Sequence, residues 1–250
     1  MKILLSNDDG IDSEGLKFLH DSLKNLGKII VIAPNRERSV VGHSLTLDSP
    51  LRIEKIKNNW FSINGTPADC VNIGLNFILK RKKPDILISG INKGGNLGND
   101  VTYSGTVSAA MEGTLLGIPS IAISLVSKNN FHFSTAAEFT LELVSYVLKK
   151  GLPKNTLLNV NIPNKPLKEL KGVRITKQGK SIYGDTIVEK VDPRNKKYYW
   201  IGSNNRKWSL EEDTDMFAIQ NDEISITPLH LDLTNYEAYS KLLKEWKFHI

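Results

Sequence analysis

The alternation of apolar runs and helical patterns over the first 165 positions constrains the fold of this chain more than any other feature. Short apolar runs alternate with stretches whose apolar residues recur every three or four positions. Continuous apolar runs indicate strands that are buried on both faces, and the recurring pattern indicates amphipathic helices. We therefore predict a doubly wound, mostly parallel sheet in a Rossmann-like, three-layer α/β/α fold. The runs occupy residues 2–6, 29–33, 85–89, 120–125 and 157–162.

The predicted helices have recognisable ends. The first carries its leucines on one face, can be capped by Asp12 or Ser13, and is expected to run past Leu26 to Gly27. The pair Thr66-Pro67 predicts a helix start, because a capping hydroxyl precedes a proline at the first helical position. Two more helices are expected from Ser104 to Gly117 and over 135–150, and two outlying strands at 51–56 and 60–63.

The pattern changes after Pro163. Four short strands are predicted without helices between them, and a helix over 236–246 closes the chain. We therefore divide the chain into an α/β core, residues 1–165, and a β-rich extension with a terminal helix, residues 166–250. Such an extension is expected to serve oligomerisation, within one folding unit free of internal repeats. The strands fall at 173–176, 186–191, 197–201 and 223–227.

Composition excludes several classes of protein. The single cysteine, Cys70, excludes a disulfide framework and multi-cysteine metal sites. No apolar stretch is long enough for a signal peptide or a membrane span, so we expect a cytoplasmic protein without membrane contact. The net charge of +6 is spread evenly, which argues against a nucleic-acid partner. The one dense basic run, residues 80–83, is interpreted as the positively charged end of a helix.

Polar loops follow three of the predicted strands. In open parallel sheets, ligands bind beyond the carboxyl ends of the strands. Asp8 and Asp9 follow the first strand, Ser39 and His43 lie in the loop after the second, and Asn92 opens a glycine-rich loop at 90–98. Together these loops supply carboxylate, hydroxyl and amide oxygens at one edge of the sheet.

This set of oxygen atoms predicts one divalent cation per chain. Two adjacent carboxylates repel each other unless a cation lies between them. Gly10 permits a sharp turn that would let Asp8 and Asp9 converge. Oxygen ligands suit Mg²⁺ or Mn²⁺, with Ca²⁺ also acceptable, better than zinc or copper.

A phosphate site is predicted beside the cation, at the helix that opens with Ser104, Gly105 and Thr106. The first turn of a helix leaves amide groups unpaired and carries partial positive charge, which favours anions. A phosphate site next to a divalent cation is the arrangement that phosphoryl-transfer enzymes use. His43 and Tyr103 are candidate substrate contacts, since both lie in the loops around this site.

The sequence lacks the residue spacing that a dinucleotide site, a P-loop or a zinc site requires. No Gly-x-Gly-x-x-Gly follows the first strand, so a dinucleotide site is not predicted. Gly179-Lys180-Ser181 is not a P-loop, because Arg174 occupies the position of its first glycine. The five histidines, including His249, show no zinc-ligand spacing.

These motifs, taken in order, resemble the survival protein E (SurE) nucleotidases. The resemblance extends from residue 1 to about 234, and the ordered set is far more specific than any one motif. The matching stretches are SNDDG at 6–10, PNRERS at 34–39, SLT at 44–46, GTPADCV at 65–71, residues 89–98, YSGTVSAAMEG at 103–113 and ITPLH at 226–230. One departure is Asp213-Thr214-Asp215, where relatives often carry Gly-Thr-Asp, so the turn at this position is in question.

The resemblance implies a metal-dependent phosphatase of nucleoside 5′- and 3′-monophosphates, some members of the family also acting on short polyphosphate. It implies a homodimer or homotetramer that exchanges a C-terminal hairpin and helix between subunits. It places Asp8, Asp9, Ser39 and Asn92 as metal ligands. It also places four residues around the phosphate: Asn96, Ser104, Gly105 and Thr106.

The expected reaction is metal-assisted attack of water on the phosphate, with Asp8 and Asp9 as the catalytic carboxylates. Water is favoured over an aspartate as nucleophile, because both carboxylates are committed to the cation. Two alternatives stay open. One is a haloacid-dehalogenase-like phosphatase with an aspartyl-phosphate, although the Asp-x-Asp spacing of that class is absent. The other is a protein that senses nucleotides without turnover.

Overall fold

The computed structural model describes residues 1–80, 82–182, 187–201, 207–208 and 211–248. The predicted strand at 186–191 is therefore described only from Ile187, and Arg81 and His249 lie outside the described residues. The strands are β1 (Lys2–Ser6), β2 (Lys28–Pro34), β3 (Ile53–Lys57), β4 (Trp60–Ile63), β5 (Ile86–Lys93), β6 (Ser120–Val126), β7 (Thr156–Pro163), β8 (Gly172–Ile175), β9 (Ser181–Ile182), β10 (Ile187–Val191), β11 (Lys197–Ile201), β12 (Lys207–Trp208) and β13 (Glu223–His230).

Within the described residues, six α-helices connect or follow these strands, and a π-helical turn, Gly74–Ile78, directly continues the second of them. Two short 3₁₀ turns lie at Gly98–Thr102 and Leu167–Glu169. The α-helices are α1 (Glu14–Leu23), α2 (Pro67–Ile73), α3 (Gly105–Leu115), α4 (Phe133–Lys150), α5 (Asp215–Gln220) and α6 (Tyr236–Glu245).

Nine strands form one sheet in the order β3-β4-β2-β1-β5-β6-β7-β13-β8. The pairs from β4 to β7 are parallel, and so is the pair of β13 and β8. Within this sheet, the pairs β3–β4 and β13–β7 are antiparallel. The predicted doubly wound, mostly parallel sheet is therefore confirmed, and β13 and β8 extend it beyond residue 165.

Successive residues of each strand enter different layers of the core. Ile3 and Leu5 of β1 pack with α1 and α4, whereas Leu4 between them packs with α2 and α3. All three side chains are fully buried. Burying one such side chain contributes about 1.5–3 kcal/mol, so the continuous apolar strands supply much of the stability. The helices on both faces leave only the edges of the sheet for loops.

The structure corrects two of the predicted elements. Helix α1 ends at Leu23 rather than Gly27, because a tight turn follows in which the Leu26 amide donates to the Leu23 carbonyl. Helix α5 interrupts a region where no helix was expected between strands. The Thr214 side chain caps it by accepting a hydrogen bond from the Phe217 amide. Six residues are too short to show a helical period in the sequence.

The extension also contains exposed elements. Strands β10 and β11 form an antiparallel hairpin in which every strand residue is exposed, and α6 has no buried residue. Strands β9 and β12 form a separate two-stranded sheet. The boundary at residue 165 and the oligomerisation role of the extension stay predictions.

The described residues of the basic run follow the π-helical turn Gly74–Ile78 that continues α2, which confirms the predicted position at the C-terminal end of a helix. The run also lies near the end of α3. Lys83 Nζ donates to the Leu116 carbonyl at 2.9 Å, just beyond the end of α3. Positive charge at this position complements the dipole of α3.

Within the described residues, no helix is long and apolar enough to cross a membrane.

Candidate metal and phosphate site

Asp8 lies against the first turn of α3. It directly follows β1 and is 7% exposed, and its Oδ1 accepts a hydrogen bond from the Thr106 hydroxyl. A Cβ on Gly105 would lie 2.7 Å from the Asp8 Cβ and 2.9 Å from its Oδ2. Only glycine therefore allows the helix to approach this closely. The contact joins positions 98 residues apart in the chain.

The surroundings of Asp8 and Asp9 make both carboxylates difficult to ionise. Burial, with a smaller contribution from the Asp9 charge, raises the pKa of Asp8 from 3.8 to about 6, against the lowering effect of the Thr106 hydrogen bond. Burial also raises the pKa of Asp9, and the charge of Glu37 adds to it, while Lys93 opposes the shift. A bound cation would relieve this cost at both carboxylates.

Unpartnered buried polar atoms gather at this edge of the sheet. Asp9 Oδ2, Ser6 Oγ and Ser89 Oγ have no hydrogen-bond partner among the described residues. Ser6 and Ser89 are neighbours on β1 and β5. Because buried polar atoms are almost always satisfied, such a group indicates a ligand or ordered water. The free Asp9 oxygen is the observation that best fits a cation at this site.

The structure brings Ser39 near this region but directs its hydroxyl elsewhere. The Arg38 amide donates to the Asp8 carbonyl at 2.8 Å, which ties the loop after β2 to the end of β1. Ser39 is exposed, and its Oγ donates to Glu37 Oε1 at 2.5 Å. Ser39 would have to exchange this hydrogen bond to join the two aspartates as a ligand.

Asn92 presents its amide oxygen as the available ligand atom. Its Nδ2 donates to the Gly94 carbonyl at 2.8 Å, and the β5–β6 register shifts between Ser89 and Asn92. Among the described residues, no three His, Cys, Asp or Glu side chains are grouped to hold a metal ion. A cation here would therefore depend on two carboxylates and neutral oxygens, a set that suits a hard divalent ion.

The predicted anion site lies at the start of helix α3. Ser104 is its N-cap, and the Ser104 hydroxyl accepts from the Val107 amide at 3.1 Å. The amides of the first turn have no partner within the helix. Since the Thr106 hydroxyl is engaged with Asp8, the backbone amides are the donors best placed to bind a phosphate.

Asn96 is fixed by three side chains that the sequence did not single out. Asn159 and Asn161 donate to its carbonyl at 2.8 and 3.0 Å, and Asn161 Oδ1 accepts from its amide at 2.8 Å. Its own Nδ2 donates to Ser124 Oγ at 2.7 Å. The sequence did contain an indication of this role, because Asn159 and Asn161 lie on the same face of a largely apolar strand.

Asp215, which belongs to the extension, binds the end of the glycine-rich loop at 90–98. This fully buried carboxylate accepts from the amides of Gly98 at 2.7 Å, Gly179 at 3.0 Å and Met216 at 2.8 Å. The questioned turn at 213–215 forms as a left-handed residue, Asp213 with φ +64°, followed by the start of α5. Glycine is favoured at such a φ, and aspartate tolerates it.

His43 and Tyr103 lie on either side of a short backbone contact. The Gly42 amide donates to the Tyr103 carbonyl at 3.1 Å. His43 Nε2 lies 2.9 Å from Oε2 of Glu112, a buried residue of α3 that the sequence reading did not identify. The sequence feature that could have identified Glu112 is its charge, since the other residues of α3 are small or apolar.

The fold and this site together define a class: α/β proteins that place acidic and amide oxygens and a helix N-terminus at the carboxyl edge of a parallel sheet, the arrangement of phosphate-binding proteins. The model of the family "Survival protein SurE" matches residues 3–185. This chain therefore belongs to the SurE family.

Similar proteins cover the whole chain. A protein named 5′-nucleotidase SurE from Geotalea uraniireducens (strain Rf4) is 54% identical over 98% of this chain and 99% of its own length. A protein of the same name from Aquifex aeolicus (strain VF5) is 50% identical over 98% and 96%. The crystal structure of SurE protein from Aquifex aeolicus has a TM-score of 0.89 and 48% identity, covering 97% of this chain and 98% of that one.

Proposed function

We propose that this chain is a phosphoric monoester hydrolase, a 5′-nucleotidase that releases phosphate from nucleoside monophosphates with the help of a divalent cation. Similar proteins that carry the name 5′-nucleotidase support the reaction class. Action on 3′-monophosphates and on short polyphosphate is part of the proposal, because neither requires a different phosphate site.

The observation that carries the proposal is the contact between Asp8 and the first turn of α3. It sets a carboxylate and a row of backbone amides beside each other, although a carboxylate alone would repel an anion at that position. A cation held by Asp8 resolves the conflict. It would be Mg²⁺ or Mn²⁺, held by Asp8, Asp9 and Asn92, with Ser39 once it leaves Glu37.

When bound, such a cation supplies positive charge against the phosphate oxygens and makes nearby water more acidic. The residues of the chain do the rest. The α3 amides and Asn96 bind the phosphate oxygens and stabilise charge that develops during transfer. Asp8 and Asp9 stay committed as ligands, so the attacking group is water.

The experiment is a substrate panel with the purified chain. Phosphate release is measured from 5′- and 3′-nucleoside monophosphates and polyphosphate, each with Mg²⁺, Mn²⁺, Ca²⁺ or EDTA. We expect turnover of 5′-monophosphates that EDTA abolishes and Mg²⁺ or Mn²⁺ restores. Nucleotide binding without turnover under every condition would instead establish a sensing protein, and a trapped aspartyl-phosphate would establish the covalent mechanism.

A further inference from the structure

A buried carboxylate holds the His43 side chain against α3. The Nε2 atom of His43 lies 2.9 Å from Glu112 Oε2, and Asn72 Nδ2 donates to the other carboxylate oxygen at 2.7 Å. Glu112 is 5% exposed, whereas the His43 side chain is 28% exposed. One edge of the imidazole is therefore held against a buried carboxylate, while part of the ring stays exposed to solvent.

The partner determines which nitrogen of His43 carries the hydrogen. Burial raises the pKa of Glu112, but the hydrogen bonds from His43 and Asn72 outweigh it, and the pKa lies below its ordinary value of 4.5. Glu112 is then ionised at neutral pH and can only accept hydrogen bonds. The Nε2 atom of His43 must donate, so Nδ1 remains available to a ligand.

The position of this pair suits a group attached to the bound phosphate. Glu112 follows Gly105 by seven residues, which places it about 10 Å along α3 from the first turn. The Gly42–Tyr103 backbone contact keeps His43 next to Tyr103, whose side chain is 57% exposed. His43 and Tyr103 are therefore the candidates for contact with a nucleoside that extends from a phosphate at the start of α3.

Resting on the nucleotidase activity proposed above, we propose that His43 and Tyr103 line a subsite for the base of the nucleotide, with Glu112 as the positioning residue that presents His43 Nδ1 to the polar edge of the base. Two planar rings suit a flat heterocycle, and a nitrogen fixed in direction adds a hydrogen bond to it. Phosphate esters without a base gain nothing from this pair.

The His43–Glu112 contact is not needed merely to anchor the loop. At one end of the loop the Arg38 amide already donates to the Asp8 carbonyl, and in the middle Gly42 bonds to Tyr103. At the other end, both the amide and the hydroxyl of Thr46 donate to the Asp69 carboxylate, at 2.9 and 2.6 Å. His43 can therefore be exchanged without releasing Ser39 or the rest of the loop.

The test compares a nucleotide with a sugar phosphate that lacks a base. His43→Gln keeps an amide donor toward Glu112 but lacks the ring and Nδ1, and Glu112→Gln keeps the size of the positioning residue but removes its charge. The matched control is His20→Gln, since His20 also lies beside a carboxylate, Asp21, but on helix α1. Steady-state kinetics are measured with adenosine 5′-monophosphate and ribose 5-phosphate in Mn²⁺.

We expect His43→Gln to raise KM for the nucleotide about tenfold and Glu112→Gln to raise it less, with ribose 5-phosphate kinetics within twofold and His20→Gln unchanged. Equal losses on both substrates would overturn the subsite. Binding of adenosine, measured by saturation-transfer NMR, tests the subsite without turnover. If wild type hydrolyses neither substrate, the proposed function fails, and the subsite stands only if His43→Gln still weakens adenosine binding about tenfold.

Discussion

At the scale of single residues, the candidate site depends on how closely Asp8 approaches α3. The sequence allowed this contact to be anticipated only in outline, because parallel strands and their helices bring the loops to one edge. It did not reveal that Gly105 is the residue that makes room for Asp8. Nor did it reveal the orientation of Ser39, since a side chain on an exposed loop takes its direction from neighbours such as Glu37.

The Thr106 hydroxyl is predicted to matter because it donates to the buried Asp8 carboxylate. Thr106→Val keeps the shape of the side chain but removes the donor, so the Asp8 pKa should rise further and kcat/KM for a nucleoside monophosphate should fall at least about tenfold. Thr106→Ser keeps the hydroxyl and should stay within about threefold of wild type. Equal activity of the two variants would contradict this role.

Glu112 gives a prediction about stability and pH. Because its folded pKa lies below the ordinary 4.5, the ionised carboxylate stabilises the fold at pH values above 4.5, and this contribution is lost as pH falls through the folded pKa. Glu112→Gln should therefore cost about 1–3 kcal/mol at pH 7.

Urea unfolding from pH 7 to pH 3 measures this difference. The gap between wild type and Glu112→Gln should narrow below pH 4.5, with His43, Asn72 and Asp69 as the groups that face the carboxylate. A gap that stays constant or widens in acid would show that the ionised form of Glu112 does not contribute to stability.

At the scale of elements, the strands and most helices could be predicted because each is encoded in a local pattern. Strand β7 was evident from its apolar run, and α3 from its serine cap. The hydrogen bonds from Asn159 and Asn161 to Asn96 could not be predicted, since they join residues 63 and 65 positions apart. Helix α5 was not predicted, because its six residues are too few to show the apolar period of a helix.

The turn that starts α5 is predicted to secure the glycine-rich loop. Asp215→Asn removes the charge and replaces one of the two carboxylate oxygens, which together accept from three backbone N–H groups, by an NH2 group. We expect the free energy of unfolding to fall by about 2–3 kcal/mol and nucleotide hydrolysis to fall with it, because the Gly98 amide loses its acceptor. Chemical denaturation and phosphate release measure the two effects.

Asp213→Gly is the control for this turn. The positive φ of Asp213 suits glycine, and the exposed contact to Arg174 at 3.3 Å contributes little. This variant should stay within about 1 kcal/mol of wild type and keep its activity. A larger loss at position 213 than at position 215 would show that the turn itself, rather than the carboxylate, holds the loop.

At the scale of the whole molecule, the extension exposes aromatic residues that we expect another chain to cover. Trp200 is 63% exposed on β11, and Tyr239 and Trp246 of the terminal segment are 56% and 58% exposed. Exposed apolar surface of this extent is typical of subunit interfaces. We propose that a second copy of the chain covers it, in a homodimer or homotetramer.

Analytical ultracentrifugation tests this assembly. Wild type should sediment at a multiple of the 28.0 kDa chain mass, and a variant with Trp200→Glu and Tyr239→Glu should sediment as a monomer with its core still folded. Lys149→Glu, on the surface of α4, is the control and should leave the mass unchanged. A wild-type monomer at micromolar concentration would refute the proposed interface.

We propose that Asp8 and Asp9 hold one divalent cation beside the first turn of α3. Calorimetric titration of Mn²⁺ into the EDTA-treated chain measures this most directly. We expect one site per chain in wild type, with tighter binding in the presence of inorganic phosphate, and no measurable site in Asp9→Asn, for which circular dichroism should show an unchanged fold. Equal Mn²⁺ binding by wild type and Asp9→Asn, or none by either, would contradict it.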